Sequence, residues 1–118
     1  GIELHEGAIE CARTNAANNG IQGQWSAGKV EEILPSLELP SPRTVVVDPP
    51  RVGLHPKAAR FLATLDMERL VYVACKPSSL HRDKDLLAEG GWNMTDLWTV
   101  DLFPQTPHVE SIARFVRP

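Results

Sequence analysis

Leu70-Val71-Tyr72-Val73-Ala74-Cys75-Lys76-Pro77-Ser78-Ser79 is a short apolar run that stops at a thiol, a cation and a proline. A run of this length and composition, bounded by a turn signal, reads as a strand over residues 70–74. A helical segment follows it, with Ser79 as the expected cap and residue 89 as its end. Cys75 therefore stands at the carboxyl end of a strand and the amino end of a helix. In open α/β sheets that edge is where ligands bind. A helix amino terminus also favours the thiolate, the nucleophilic form of cysteine. Cys75 is a candidate covalent nucleophile; the competing reading is a buried thiol packed as a small hydrophobe.

Outward from this point, strand and helix alternate. Thr44-Val45-Val46-Val47 is a β-branched run without alternation, the pattern of a strand buried on both faces. Pro56 opens a helix over residues 56–65. Gly90-Gly91 stops the helix after Cys75, and residues 92–102 and 109–116 read as two strands. Their link is too short for a crossover helix, so they are antiparallel. Upstream, Gly1-Ile2-Glu3 reads as the end of a strand, and residues 5–18 have helical spacing closed by Asn18-Asn19-Gly20. Residues 21–25 suit a short strand, residues 30–34 a short helix closed by Pro35, and residues 35–43 a proline-rich loop. The class is α/β with a mostly parallel sheet and an antiparallel final strand.

The chain has 118 residues, 42% hydrophobic and 23% charged, which is the balance of one soluble globular domain spanning residues 1–118. It shows no membrane-spanning run and no signal-peptide pattern. Two cysteines make no disulfide framework and cannot alone hold an iron–sulfur cluster, which points to an intracellular, cytoplasmic setting. A net charge of −3 gives no global signature of a nucleic-acid binder. His5, His55 and His81 show no metal-ligand spacing, so no metal is expected.

Three further groups can carry chemistry. Asp48 ends the β-branched run, and Pro49-Pro50 makes the backbone after it rigid; the bland alternative is a strand-ending turn. Glu3 ends the first visible strand, where acidic residues of Rossmann-like folds accept ribose hydroxyls. Asp101-Leu102-Phe103-Pro104-Gln105-Thr106-Pro107-His108-Val109-Glu110 places His108 and Glu110 on one side at period two, in a rigid connection suited to general acid–base work. Cys11 reads as a packed helix residue. Arg82-Asp83-Lys84-Asp85 reads as a solvated helix face with local charge pairing.

Together these segments resemble the RNA 5-methyluridine (uridine-C5) methyltransferase family, which uses S-adenosylmethionine. The resemblance rests on Asp48-Pro49-Pro50-Arg51-Val52-Gly53, on Leu70 to Ser79 sixteen residues later, and on Val100 to Glu110. It implies a Rossmann-like class I methyltransferase fold. It further implies that Cys75 is the nucleophile adding to uracil C6, that Glu110 is the base removing the C5 proton, and that Glu3 and Asp48 line the cofactor site. The implied partner is a transfer or ribosomal RNA. His108 is expected to orient Glu110, by proximity alone.

This chain departs from the family pattern at Ala74 and Lys76, where Ser and Asn usually flank the cysteine, at Ser79 in place of Thr, and at Lys29 near the cofactor. Lys76 is a candidate for favouring the thiolate or for meeting RNA phosphate. The family's glycine-rich loop and first strand are expected upstream of Glu3, as is a separate RNA-binding domain. The chain thus resembles the C-terminal part of the catalytic domain, with weak cofactor binding expected of residues 1–118 alone. The alternative function is a non-catalytic fragment or degenerate paralogue serving as an RNA-binding or assembly module. Arg51 argues against amino-methyltransferases, which place an aromatic residue after Asp-Pro-Pro.

Overall fold

The computed structural model describes residues 1–38 and 44–118. It divides into two compact units, Gly1–Glu38 and Leu39–Pro118. The expected loop over residues 35–43 lies partly outside the described residues.

In the first unit, strand β1 (Ile2–Glu3) pairs in parallel with β2 (Ser26–Ala27), joined by helix α1 (Glu6–Asn18). Glu3 Oε1 accepts the His5 N–H at 2.9 Å, which turns the chain from strand into helix. Ile9 and Ala16 form the buried stripe of α1, whereas Cys11 is exposed, against the packing expected of it. Residues 21–25 form no strand, because the Ile21 N–H closes α1 by donating to Ala16 O at 2.8 Å. Pairing begins only where Ser26 N donates to Gly1 O at 2.9 Å. Helix α2 (Val30–Ile33) runs directly into a 3-10 turn, Leu34–Ser36, so Pro35 continues the helical path instead of closing it.

The second unit is a four-stranded sheet in the order β3-β4-β6-β5, with helices α3 and α4 packed on each other. Its strands are β3 (Thr44–Val47), β4 (Arg69–Ala74), β5 (Asn93–Val100) and β6 (Glu110–Val116). The helices are α3 (Pro56–Thr64) and α4 (Pro77–Glu89). β3 and β4 are parallel, while β6 runs antiparallel to both β4 and β5. Leu70, Tyr72 and Ala74 of β4 and Ala113 and Phe115 of β6 point into the core with Leu62, Leu80, Leu87 and Trp92. Truncating a residue such as Leu62 to Ala costs about 2–5 kcal/mol by removing that contact and leaving a cavity. Gly90 ends α4 where a Cβ would lie 2.3 Å from Ala63 O, so only glycine lets α4 close against α3.

Three expectations are corrected here. β3 is not buried on both faces: no helix of the second unit covers the face that carries Val46, which is 65% exposed among the described residues. Helix α4 starts at Pro77, whose fixed φ suits the first turn. Ser79 lies inside the helix and its hydroxyl donates to Lys76 O at 2.7 Å. Residues 82–85 are not all solvated, because Asp83 is completely buried.

Candidate active site

The β4 and β6 ladder brings the two central residues together. Its last register pair is Ala74 opposite Ser111. One step further along each strand places Cys75 opposite Glu110. Glu110 is also paired with Val100 on β5, so its backbone is fixed by the sheet while its side chain lies at the sheet's edge. Cys75 follows β4 directly, half-buried, with Lys76 and Pro77 beginning α4 behind it. A pocket of about 190 Å³ opens here, lined by Arg51, Cys75, Phe103, His108 and Glu110.

The connection between β5 and β6 shapes one wall. Asp101 Oδ1 accepts the Phe103 N–H at 3.2 Å. Thr106 then ties the turn together: its hydroxyl donates to Phe103 O at 2.7 Å and accepts the His108 N–H at 3.3 Å. Gln105 takes φ 68, a left-handed conformation costly for a residue with a Cβ. These bonds set Phe103 and His108 at the pocket. No hydrogen bond joins the His108 imidazole to the Glu110 carboxylate, so the expected orienting contact is not formed.

The loop after β3 contributes Arg51 to the lining. Asp48 stands exposed at that strand's carboxyl end and is not among the pocket residues. Beyond it, Gly53 N donates to Pro50 O at 2.7 Å, forming a tight turn that carries Arg51. The turn is fastened to the core. Leu54 N donates to Asp83 Oδ2 at 2.7 Å, and the Tyr72 hydroxyl donates to the same oxygen at 2.6 Å. Arg82 supplies Nε and Nη2 to Asp83 Oδ1 at 2.9 and 2.6 Å. Gly53 has φ +84, and a Cβ there would lie 2.5 Å from Asp83 Oδ2. Burial pushes the Tyr72 phenol well above the usual tyrosine range, reinforced by its hydrogen bond to Asp83 and by that residue's charge.

The structure thus brings Cys75, Glu110 and His108 together, and adds Arg51 and Phe103, which the sequence reading had not placed at the site. Glu3 belongs to the first unit, exposed at the end of β1, with Oε1 engaged by His5. That unit has a larger concavity of about 430 Å³, lined by Arg13, Ala16, Ala17, Ile21, Gln22, Gly23 and Trp25. It holds no acid, thiol or imidazole, so the smaller pocket is the better candidate for chemistry. Among the described residues no cluster of His, Cys, Asp and Glu could hold a metal ion, and no helix is long and apolar enough to cross a membrane.

The family described as tRNA (Uracil-5-)-methyltransferase matches residues 3–116. An uncharacterized RNA methyltransferase of Enterococcus faecalis is 45% identical over 115 residues, covering 95% of this chain and 25% of that protein. Another, of Chlorobaculum tepidum, is 42% identical over 122 residues, covering 99% of this chain and 25% of that protein. The chain therefore spans about a quarter of the length of the curated relatives it matches. Among solved structures, the Pyrococcus abyssi tRNA (uracil-54, C5)-methyltransferase in complex with S-adenosyl-L-homocysteine superposes with a TM-score of 0.83 at 34% identity, over 98% of this chain and 28% of that one. Magnesium protoporphyrin IX methyltransferase from Synechocystis, with bound SAM, superposes at 0.69 with 15% identity, over 100% of this chain and 58% of that one, a likeness of fold alone. The fold is the Rossmann-like class I methyltransferase fold.

Proposed function

We propose, from the premise that this chain belongs to the tRNA (uracil-5-)-methyltransferase family, that it carries the nucleophile and the base of an S-adenosylmethionine-dependent enzyme methylating C5 of a uridine in tRNA or rRNA. The observation that supports the reading is that Cys75 and Glu110 line one pocket just beyond the last β4–β6 register pair, Ala74 with Ser111.

The chemistry needs both groups. Uracil C5 is too weak a nucleophile to take a methyl group unaided. The Cys75 thiolate forms a bond to C6, and the C5–C6 π pair moves to C5 and O4 as an enolate. S-adenosylmethionine, when bound, would supply the methyl group that C5 takes up, its methyl–sulfonium bond breaking to leave a neutral thioether. Glu110 then removes the C5 proton. The enolate forms again, the C6–S bond breaks, and the thiolate departs.

The residues present suit that donor. Glu3 keeps one carboxylate oxygen free at an exposed strand end, the acceptor that ribose hydroxyls require. Asp48 is an exposed carboxylate at the end of β3, preceding two prolines. In the full-length protein, further sequence supplies the rest of the donor site and the RNA-binding elements.

The test is product analysis. Full-length protein, an RNA substrate and methyl donor should yield 5-methyluridine on nuclease digestion. Methylation at another atom, or none, contradicts the reading; RNA binding without methylation would indicate a non-catalytic module.

A further inference from the structure

We infer that Arg51 binds the uracil O4 oxygen and stabilises the negative charge that collects there when the Cys75 thiolate adds to C6. This rests on the uridine-C5 reading above and deepens it.

Three observations carry it. Arg51 lines the same small pocket as Cys75 and Glu110. Its guanidinium makes no hydrogen bond or ion pair among the described residues, whereas Arg82, Arg114 and Arg117 are committed to Asp83, Asp96 and Ala63 O. Arg51 and Glu110 in particular form no ion pair. The carboxylate therefore stays free to take a proton and the cation free to meet an anion. Finally, the backbone beneath Arg51 is held more firmly than its exposure suggests. Pro49 and Pro50 precede it, the Gly53-to-Pro50 turn encloses it, and the next residues are fastened to buried Asp83. A long side chain on a fixed base is how a preorganised donor is presented.

Charge decides the need. Glu110 and Cys75 act as a carboxylate and a thiolate, so among the lining residues the donors left for an enolate oxygen are Arg51 and the His108 imidazole. Arg is the lining residue that stays cationic at every working pH. As C6 accepts the thiolate, one negative charge passes from Sγ to O4. A guanidinium donor at O4 gains more in that state than in the uncharged ring, the condition for accelerating the step.

The test uses full-length protein and RNA, with Arg51→Met and Arg51→Lys. Wild type should form a denaturant-stable adduct with 5-fluorouridine RNA. Arg51→Met should slow single-turnover methyl transfer and adduct formation together by roughly a hundred- to a thousand-fold, with KM for RNA little changed and Arg51→Lys in between. Replacing the target by 4-thiouridine, a poorer hydrogen-bond acceptor, should narrow the rate gap between wild type and Arg51→Met; an unchanged gap would overturn the inference. A raised KM and a flatter salt dependence at an intact saturated rate would assign Arg51 to RNA phosphate and overturn the inference while leaving the uridine reading intact. A lowered unfolding temperature in Arg51→Met accounting for the lost rate would make its role structural and also overturn it. No wild-type adduct would overturn the uridine reading itself.

Discussion

The loop from Asp48 to His55 has two sides that differ in one respect. On one side Arg51 lines the pocket with no partner among the described residues; on the other, Gly53 and Leu54 rest on a carboxylate whose two oxygens accept four hydrogen bonds. A buried charge is tolerated only when fully paired, so Asp83 is committed to the fold. An exposed charge beside a thiol and a second acid is under no such obligation and is available to a ligand. The two clusters are linked through a few residues of backbone, and the satisfied one holds the unsatisfied one in place.

The contrast breaks most sharply at Cys75. Cys75→Ala should abolish turnover and adduct formation while leaving thermal unfolding close to wild type. Glu110→Gln should lower turnover by roughly a hundred- to ten-thousand-fold and let the covalent species accumulate on ordinary uridine RNA, visible as a shifted band on a denaturing gel. If Glu110→Gln loses turnover without accumulating adduct, its role is not proton removal.

The Asp83 side should respond in stability instead. Asp83→Ala leaves Arg82, Tyr72 and the Leu54 N–H without their acceptor, and should cost about 3–5 kcal/mol by urea unfolding. A loss under about 1 kcal/mol would show that the cluster does not hold the loop.

Tyr72→Phe is the smallest change, removing one donor at a cost of about 1–3 kcal/mol. Its sign with pH is fixed by the raised phenol. The contribution is fully present below about pH 10, the unfolded tyrosine value, and is lost as pH rises through the higher folded value. Wild type should therefore lose stability above about pH 10 more steeply than Tyr72→Phe, and parallel curves would contradict the assignment.

Much of this was legible in the sequence, for identifiable reasons. The strand, turn and helix around Cys75 carry strong local signals, and the short link between the last strands forced their antiparallel pairing. Opposite strands ending at one edge then bring Cys75 to Glu110. Asp83 escaped because its charged neighbours suggest a solvated face. Its spacing from Leu80 and Leu87 nonetheless places it on the buried stripe of α4. Arg51 escaped because its loop is fastened to Asp83, distant in sequence, and Phe103 because its place depends on a turn closed by Asp101 and Thr106. The exposure of Val46 was not readable from a β-branched run, since composition does not tell a strand covered on one face from one covered on both.

The central claim is that Cys75 is the covalent nucleophile. Its most direct test is mass mapping of the proteolysed adduct formed by the full-length protein on 5-fluorouridine RNA in the presence of methyl donor. The predicted result is a methylated 5-fluorouridine nucleotide attached to the peptide containing Cys75. Attachment at Cys11, or methylation of ordinary uridine by the Cys75→Ala protein, would contradict it.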